Sequence, residues 1–385
     1  MPERRPHILI AGVSARACAE SAARAGYRVT AVDAFGDLDL RAVAGVVVLR
    51  REAGTPFGPA AAAAAAVRVA ARRVAYTSNF ENYPRAVAAL ARGRTLLGNP
   101  PPVLEQVRNP IVLMRALRAR GLPTPATRAS APVSPDGRRW LLKPRRSGGG
   151  HGTTPWRQGR RVPRGAYLQE RIEGVAGSMV FAADGRRTVP LGLSRQLVGE
   201  RAFGARGFRY CGSLLASGGP PLFERQEELL ERAAALAAAV TEAFGLRGLN
   251  GVDFIARAGV PLPLEVNPRW SASMELVERA TGVSLFRLHA AACAGRLPRA
   301  PRPRDARVQG KAIVFARQAI VVPGTARWTR ATVADVPHPG ERIGRGHPIC
   351  TVLADAADGA RCHRALVAAA TTIYAATGRG ARGAA

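Results

Sequence analysis

Residues 248–268 read GLNGVDFIARAGVPLPLEVNP, and this stretch decides the fold of the region around it. Its two apolar runs flank a turn at Gly259, a pattern that predicts a β-hairpin. Because side chains two residues apart in a strand share a face, Glu265 and Asn267 are predicted to project together. With Gly259 at the centre of the turn, Asp253 lies opposite Glu265 on the partner strand. The hairpin therefore predicts three oxygen-bearing side chains at one point of a sheet.

These three side chains, Asp253, Glu265 and Asn267, are candidate ligands for a divalent metal. Carboxylate and amide oxygens suit Mg²⁺ held jointly by protein and nucleotide phosphates, and Mn²⁺ is a possible substitute. A solvated polar hairpin end is the alternative, but it does not explain why both carboxylates interrupt otherwise apolar strands. Arg269 is a candidate catalytic residue, because its guanidinium could stabilise negative charge on a reacting phosphoryl or carboxyl group. The competing interpretation is that Arg269 is one arginine among many.

A rare residue type marks the second candidate site. The chain has 57 lysines and arginines together, and only Lys143 and Lys311 are lysines. A lysine kept among so many arginines indicates a position that requires a compact ammonium group. Lys143 ends an apolar run and precedes a glycine-rich loop, residues 147–152, whose backbone N–H groups can approach phosphate oxygens closely. The candidate phosphate contacts are Lys143, which is also a candidate catalytic residue, and Gly148, Gly149 and Gly150; a flexible hairpin tip has the same composition.

A third, weaker signal is the segment QERIEG at residues 169–174. Its side chains could line an adenine pocket, and Glu173 could accept hydrogen bonds from ribose hydroxyls. Without the other two signals, this segment alone does not indicate a nucleotide site. The candidate nucleotide contacts in it are Gln169, Glu170, Arg171, Ile172 and Glu173.

Composition sets limits on the class of protein. The 385 residues are 47% hydrophobic, which predicts a folded protein with two or three domains. The formal net charge of +30 would suit a nucleic-acid-binding protein, but the arginines are scattered along the chain and form no stripe. The five cysteines form no CxxC pair, so neither a disulfide framework nor a zinc ribbon is indicated. No apolar run is long enough for a signal peptide or a membrane span, and we expect a cytoplasmic protein.

The order of elements predicts three regions of an α/β and α+β protein. Residues 1–107 open with a strand, a helix and a second strand, as in a Rossmann-like parallel sheet, and close near Pro100–Pro102, which would break a helix. Residues 108–300 contain the three motifs. Residues 301–385 have short strands, proline–glycine turns and a final helix, and they predict a small β-rich domain.

The order of the motifs, a lysine with a glycine loop, then ERIEG, then D…E-x-N-P-R, resembles the ATP-grasp superfamily over about residues 108–296. The resemblance implies that ATP lies between two α+β subdomains after a preceding α/β domain. It also implies that Lys143 contacts the phosphates, that residues 169–172 bind adenine, and that Glu173 binds ribose. Many members carry a further lysine where this chain has Arg108, so either Arg108 substitutes for that lysine or the contact is missing.

Within the superfamily, the chain is similar to carboxylate–amine ligases of the tyramine–glutamate ligase type, which serve methanofuran-like cofactor synthesis. The function expected is amide formation from a small carboxylic acid and an amine through an acylphosphate, with ATP and Mg²⁺. Two alternatives stay open at this point: a biotin carboxylase-like or carbamoyl-phosphate-like enzyme that uses bicarbonate, and an arginine-rich nucleic-acid-binding protein. Dimers are common in such folds, so a homodimer is a further expectation.

Overall fold

The computed structural model describes residues 5–49, 57–132, 137–297, 299–328 and 331–379. The described helices are α1 (Arg16–Arg24), α2 (Leu38–Arg41), α3 (Pro59–Ala66), α4 (Pro84–Ala91), α5 (Pro101–Val107), α6 (Pro110–Arg118), α7 (Gln226–Phe244), α8 (Met274–Thr281), α9 (Leu285–Cys293) and α10 (Gly359–Arg379). The described strands are β1 (His7–Ala11), β2 (Arg28–Asp33), β3 (Ala44–Val48), β4 (Arg73–Tyr76), β5 (Thr95–Leu96), β6 (Thr127–Arg128), β7 (Trp140–Pro144), β8 (Thr154–Pro155), β9 (Ala166–Glu170), β10 (Val175–Asp184), β11 (Thr188–Val198), β12 (Tyr210–Ala216), β13 (Arg247–Arg257), β14 (Val260–Asn267), β15 (Val308–Phe315), β16 (Ile320–Val321), β17 (Val333–Ala334), β18 (Arg342–Ile343) and β19 (Pro348–Ala356).

The amino-terminal region is a five-stranded parallel sheet with the strand order β3-β2-β1-β4-β5. Its central strand β1 is fully buried at Ile8, Leu9 and Ile10, as expected for a strand covered on both faces. The predicted strand–helix–strand opening is therefore confirmed. Chain order reverses beside β1, and ligands of such sheets bind in the crevice at the carboxyl ends of the strands.

Three antiparallel sheets follow among the described residues, and one of them is only the pair β16-β18. Of the other two, the smaller has the order β6-β9-β7-β8, and the glycine-rich loop connects its strands β7 and β8. The larger has eight strands in the order β14-β13-β10-β11-β12-β15-β19-β17. Its core is formed by fully buried side chains such as Met179 and Phe181 of β10, Phe254 of β13 and Leu236 of α7. Parallel and antiparallel sheets with helices on their faces confirm the predicted α/β and α+β class.

The region after residue 300 is rich in strands, as predicted. Its long strands β15 and β19 do not form a sheet of their own, because β15 pairs with β12 and extends the eight-stranded sheet. The core under that sheet also includes Leu366 of α10. The domain boundary at residue 300 stays a prediction. Among the described residues no helix is both long and apolar enough to cross a membrane.

His289 of α9 fastens the amino-terminal region to the large sheet. Its Nδ1 accepts from the Leu249 N–H at 2.8 Å, so its proton lies on Nε2, which is 3.1 Å from the Leu97 carbonyl oxygen. The ring is 6% exposed, and burial lowers its pKa to about 4. A protonated ring would direct a second N–H at the Leu249 N–H.

The pKa of His289 predicts a loss of stability in acid. The unfolded chain binds a proton near pH 6.5 and the folded chain only near pH 4, so the unfolded state gains protons first as the pH falls. Through this residue, the free energy of unfolding is expected to fall by about 3 kcal/mol as the pH falls from 6.5 to about 4. Urea unfolding of the wild type and of His289→Gln at several pH values checks this: the variant should be less stable at neutral pH and should lose less on acidification. Equal losses of stability on acidification in the wild type and in His289→Gln would contradict the prediction. The control is His363→Gln, which changes a half-buried histidine elsewhere in the chain.

Candidate active site

The hairpin of β13 and β14 brings the predicted metal ligands together. Asp253 pairs directly with Glu265 in the register, and two pairs further along the hairpin Asn267 lies opposite Gly251. The turn is made by Ala258 and Gly259, with φ of 49° and 74°. Asn267 Nδ2 donates to Asp253 Oδ2 at 2.9 Å. The proximity predicted from strand periodicity is confirmed, while the role of these residues as metal ligands stays a prediction.

Burial and neighbouring charges shift the pKa values of Asp253 and Glu265 in opposite directions. Burial and the neighbouring Glu265 carboxylate raise the pKa of Asp253 to about 6. Burial also opposes ionisation of Glu265, but Arg108 and Lys143 outweigh it and lower the pKa of that carboxyl group. Arg108 Nη1 donates to Glu265 Oε2 at 3.1 Å, and its Nη2 donates to the Ser147 carbonyl oxygen at 3.0 Å. Arg108 thus joins the hairpin to the glycine loop, at the position where a lysine was expected from the family resemblance.

Arg269 is held by a carboxylate that the sequence did not single out. Its Nη2 donates to Glu81 Oε1 at 2.8 Å and to Asn267 Oδ1 at 3.1 Å. Glu81 follows β4 in the amino-terminal region and is 1% exposed, and its Oε2 has no hydrogen-bond partner among the described residues. The guanidinium of Arg269 is therefore fixed between the amino-terminal region and the hairpin, beside the candidate metal ligands.

Lys143 and Gln169 form a pair on neighbouring strands. Lys143 Nζ donates to Gln169 Oε1 at 2.9 Å and lies 5.8 Å from the centroid of the Tyr167 ring. Gln169 is 1% exposed, and its Nε2 donates to the Leu264 carbonyl oxygen at 3.2 Å. The side chain of Gln169 thus links the small sheet to the hairpin and orients the ammonium group.

The glycine loop packs against residues 207–210. The Tyr210 N–H donates to the Gly149 carbonyl oxygen at 3.0 Å. Gly150 has φ of 74°, and a Cβ at this position would lie 1.8 Å from the Phe208 carbonyl oxygen. Only glycine fits such a close backbone approach. A Cβ added at Gly148, by contrast, would have no atom within 4 Å, so packing does not require glycine there.

The remaining predicted nucleotide contacts lie at the edge of the small sheet. The carboxylate of Glu170 accepts from the Ala126 N–H at 3.0 Å. Glu173 is exposed and forms an ion pair with Arg139. Arg171 is exposed and Ile172 is half-buried. Their roles toward adenine and ribose stay predictions.

One cleft of about 1700 Å³ is lined by every predicted site residue. Sequence reasoning missed several of its charged groups, including Glu81, Arg209, Asp37 and Lys311. Lys311 carried a usable signal, because it is the other lysine of the chain. Glu81 and Asp37 carried none, because only the tertiary fold brings them to the cleft.

The donor groups in this cleft fit a nucleotide and a divalent cation. Two adjacent carboxylates, Asp253 and Glu265, would supply oxygen ligands and would leave room in a six-coordinate shell for phosphate oxygens. Donors for phosphate oxygens would come from the Lys143 ammonium group, the Arg108 guanidinium and the glycine loop, in which Gly150 has no space for a side chain.

Comparison with known proteins agrees with this geometry. Residues 107–273 match the model of the ATP-grasp domain family. An uncharacterized protein of Methanocaldococcus jannaschii, MJ0776, is 29% identical over 115 residues, which are 30% of this chain and 28% of that protein. The aligned segment thus spans less than a third of that relative's length.

Solved structures resemble almost the whole chain. An ADP complex of N5-carboxyaminoimidazole ribonucleotide synthetase has a TM-score of 0.70 at 17% identity and covers 96% of both chains. The L-amino acid ligase from Bacillus licheniformis has a TM-score of 0.65 at 17% identity, covering 95% of this chain and 97% of that one. At such identities the likeness concerns the fold. Residues 107–273 therefore match the ATP-grasp domain family, and the fold of almost the whole chain is similar to that of these two enzymes.

Proposed function

We propose that this chain is an ATP-dependent carboxylate–amine ligase that forms an amide through an acylphosphate. The observation that carries the proposal is one cleft in which two adjacent carboxylates, Asp253 and Glu265, lie near Lys143, Arg108 and the glycine loop. A site of that composition suits phosphoryl transfer, which needs positioning and charge stabilisation more than covalent chemistry from the protein.

The cationic groups and the glycine loop hold the phosphates in this proposal. Lys143 contacts the transferring phosphoryl group as a point charge, oriented by Gln169. Arg108 takes the place of the missing lysine, because its guanidinium already spans from Glu265 to the glycine loop. The loop closes over the reacting groups and excludes water, since hydrolysis of an acylphosphate would waste ATP.

Asp253, Glu265 and Asn267 would hold Mg²⁺, and Mn²⁺ is a possible substitute. When bound, Mg²⁺ supplies positive charge to the phosphate oxygens during transfer. Asn267 already orients Asp253 through a hydrogen bond, and its own Oδ1 accepts from Arg269. Arg269 would stabilise the acylphosphate or the oxyanion formed when the amine attacks, and its hydrogen bond to Asn267, beside the proposed metal ligands, supports this role.

The substrate classes are a small carboxylic acid and an amine. Support for this choice comes from a structural neighbour, an L-amino acid ligase, that shares the fold over 95% of this chain. Glutamate with tyramine, in the synthesis of a methanofuran-like cofactor in the cytoplasm, is the specific pair we propose to test first.

The test is ADP release by the purified chain with ATP and Mg²⁺, in a panel of amino acids crossed with simple amines, including glutamate with tyramine. Turnover that requires both an acid and an amine, and that disappears in Lys143→Ala and Glu265→Gln, is expected. Turnover that requires bicarbonate and no amine would contradict the ligase proposal and favour a carboxylase-like reaction. Binding to nucleic acid that depends strongly on salt and is unchanged in Glu265→Gln would favour the nucleic-acid alternative.

The glycine loop gives a separate prediction. Gly150→Ala is expected to weaken ATP binding by about tenfold or more, because a Cβ at 1.8 Å from the Phe208 carbonyl oxygen would displace the loop and its N–H groups, and a loss of about 1.4 kcal/mol is tenfold in affinity. Titration with a fluorescent ATP analogue measures this. Gly324→Ala, at an exposed glycine with no atom within 4 Å of the added Cβ, is the control and should bind like the wild type. Unchanged binding by Gly150→Ala would show that this loop does not hold the nucleotide.

A further inference from the structure

A second group of charges lines the same cleft at the carboxyl ends of β1 and β2. Arg16, at the start of α1, is 2% exposed and lies among four carboxylates: Glu20, Asp39, Glu275 and Asp335. Lys311 of β15 donates to Glu275 Oε2 at 2.5 Å. Asp33 and Asp37 follow the end of β2. We call these eight residues the acidic cluster; they are Arg16, Glu20, Asp33, Asp37, Asp39, Glu275, Lys311 and Asp335.

The acidic cluster is negative in a strongly positive chain. Its six carboxylates face two cations, whereas the whole chain has 57 basic and 27 acidic residues. Surface charge in this protein is overwhelmingly arginine, so a concentration of carboxylates at one end of a cleft has no explanation in overall composition. The nearest cations do not neutralise it, because Arg16 and Lys311 are already engaged by other members of the cluster.

Most carboxylates of the cluster have structural partners. Asp33 accepts from the backbone N–H groups of Ala15, Phe35 and Gly36, each at 2.7 Å. Asp39 accepts from the N–H groups of Asp335 and Val336 at 2.8 and 3.1 Å. The bonds of Asp33 hold the loop after β2 against the start of α1, and those of Asp39 hold it against the segment 335–336. They account for Asp33 and Asp39 without any ligand.

Asp37 is different. It is 7% exposed and lines the cleft, yet its carboxylate has no hydrogen bond and no ion pair with any residue that the structure describes. It stands directly before α2 but does not cap it. Burial and the charges of Asp335, Asp33 and Asp39 raise its pKa well above the ordinary value, against a smaller opposing effect of Arg16. The Asp37 oxygens are not among the fully buried polar atoms without a partner, so they are open to the cleft, where a ligand can supply the missing partner.

The chemistry of the pocket restricts the ligand. An anion would meet Asp37 and Asp335 in the lining and two cations, Arg16 and Lys311, that are already paired with carboxylates. Among the described residues no group of three His, Cys, Asp or Glu side chains has an arrangement that could hold a metal ion. An organic cation with N–H donors satisfies both the charge and the hydrogen-bonding capacity of Asp37. A primary ammonium group has three such donors.

We propose that the acidic cluster binds the amine substrate as its ammonium ion, with Asp37 as the counter-ion and hydrogen-bond acceptor. The claim that the bound cation is the amine substrate rests on the proposed ligase function. The claim that the cluster binds a cation rests on the geometry of the cleft.

The cleft that Arg269 lines is also lined by four members of the acidic cluster: Arg16, Asp37, Lys311 and Asp335. The acidic cluster and the candidate site around Lys143 and the glycine loop are therefore parts of one cavity. Arg269 also lies only six residues before Glu275 in the chain. The acid would then be phosphorylated near Lys143 while the amine enters from the side of the parallel sheet. The ammonium ion would give a proton to the Asp37 carboxylate before its nitrogen attacks the acylphosphate, and inorganic phosphate would leave.

Binding of matched pairs of small molecules tests the proposal. Tyramine is compared with tyrosol, and putrescine with butanediol, because each alcohol replaces an ammonium group by a neutral hydroxyl. Isothermal titration of the wild type should show binding of at least one amine, and binding of its alcohol weaker by about tenfold or more. Asp37→Asn should weaken amine binding by about the same factor. Asp184→Asn makes the same chemical change in a turn outside the cleft and should leave amine binding unchanged.

Several outcomes would overturn the inference. They are equal binding of amine and alcohol, unchanged amine binding by Asp37→Asn, and no binding of either amine at millimolar concentration. Thermal unfolding separates loss of a ligand contact from loss of the fold. Asp37→Asn should unfold at or above the wild-type temperature, because it removes an unpaired buried carboxylate, and a large decrease would assign Asp37 a structural role.

ATP binding, measured in the same samples, distinguishes this inference from the proposed function. Amine binding without ATP binding would support the cation site and contradict the proposed ligase function. Amine-dependent ADP release that is identical in Asp37→Asn would leave the ligase standing and overturn the inference.

Discussion

Replacing Glu265 by glutamine is expected to slow ADP release by on the order of 10²–10³-fold, because a metal ligand contributes several kcal/mol to charge stabilisation. The exchange keeps the shape of the side chain and removes its charge. Arg108 loses one acceptor but keeps the Val266 and Ser147 carbonyl oxygens at 2.7 and 3.0 Å. The fold should therefore survive while the candidate metal site loses half of its negative charge.

The measurement is initial ADP release as a function of Mg²⁺ concentration. A rightward shift of the Mg²⁺ dependence in Glu265→Gln would assign the loss to metal affinity, and a lower plateau would assign it to the chemical step. Glu242→Gln, on an exposed face of α7, is the control and should behave as the wild type. Wild-type turnover by Glu265→Gln at all Mg²⁺ concentrations would remove this carboxylate from the site.

The hairpin could be predicted because its information is local. Strand alternation and the position of the turn predict that Asp253 and Glu265 lie close together. A β-bulge between Asp253 and Phe254 then shifts the register by one residue, so that Asp253 pairs with Glu265 and not with Leu264. The glycine loop and Lys143 were found for a similar reason, since both lie in one short stretch between β7 and β8. Proline was misread: Pro100–Pro102 was expected to break a helix, but Pro101 begins α5. Proline is well tolerated at the first position of a helix, where its missing N–H has no intrahelical partner.

The rest of the site depends on contacts between distant segments. Arg16 meets Asp335 across 319 positions of sequence, and Arg269 meets Glu81 across 188. Neither Glu81 nor Asp37 lies in a motif, and a buried carboxylate in a loop looks like any solvated one until the fold is known. The family resemblance implies a preceding α/β domain, but the sequence could not show that this region supplies the carboxylate that fixes Arg269.

Arg269→Ala is expected to have two separable effects. It removes the guanidinium proposed to stabilise the acylphosphate, which should lower turnover by on the order of 10²–10³-fold. It also leaves Glu81, 1% exposed, without its cation, and an uncompensated buried charge should cost about 3 kcal/mol of the free energy of unfolding. Loss of activity in this variant alone would therefore not distinguish catalysis from support of the fold.

The double variant Arg269→Ala with Glu81→Gln separates the two effects. Glutamine at position 81 removes the buried charge, so urea unfolding should return most of the stability lost in Arg269→Ala. Turnover should stay low, because the guanidinium is still absent. Recovery of both stability and turnover would make Arg269 a structural partner of Glu81. Recovery of stability alone would assign the guanidinium to the reaction. Arg269→Lys should then restore only part of the rate, because an ammonium group cannot contact Glu81, Asn267 and the substrate in the fixed geometry of a guanidinium.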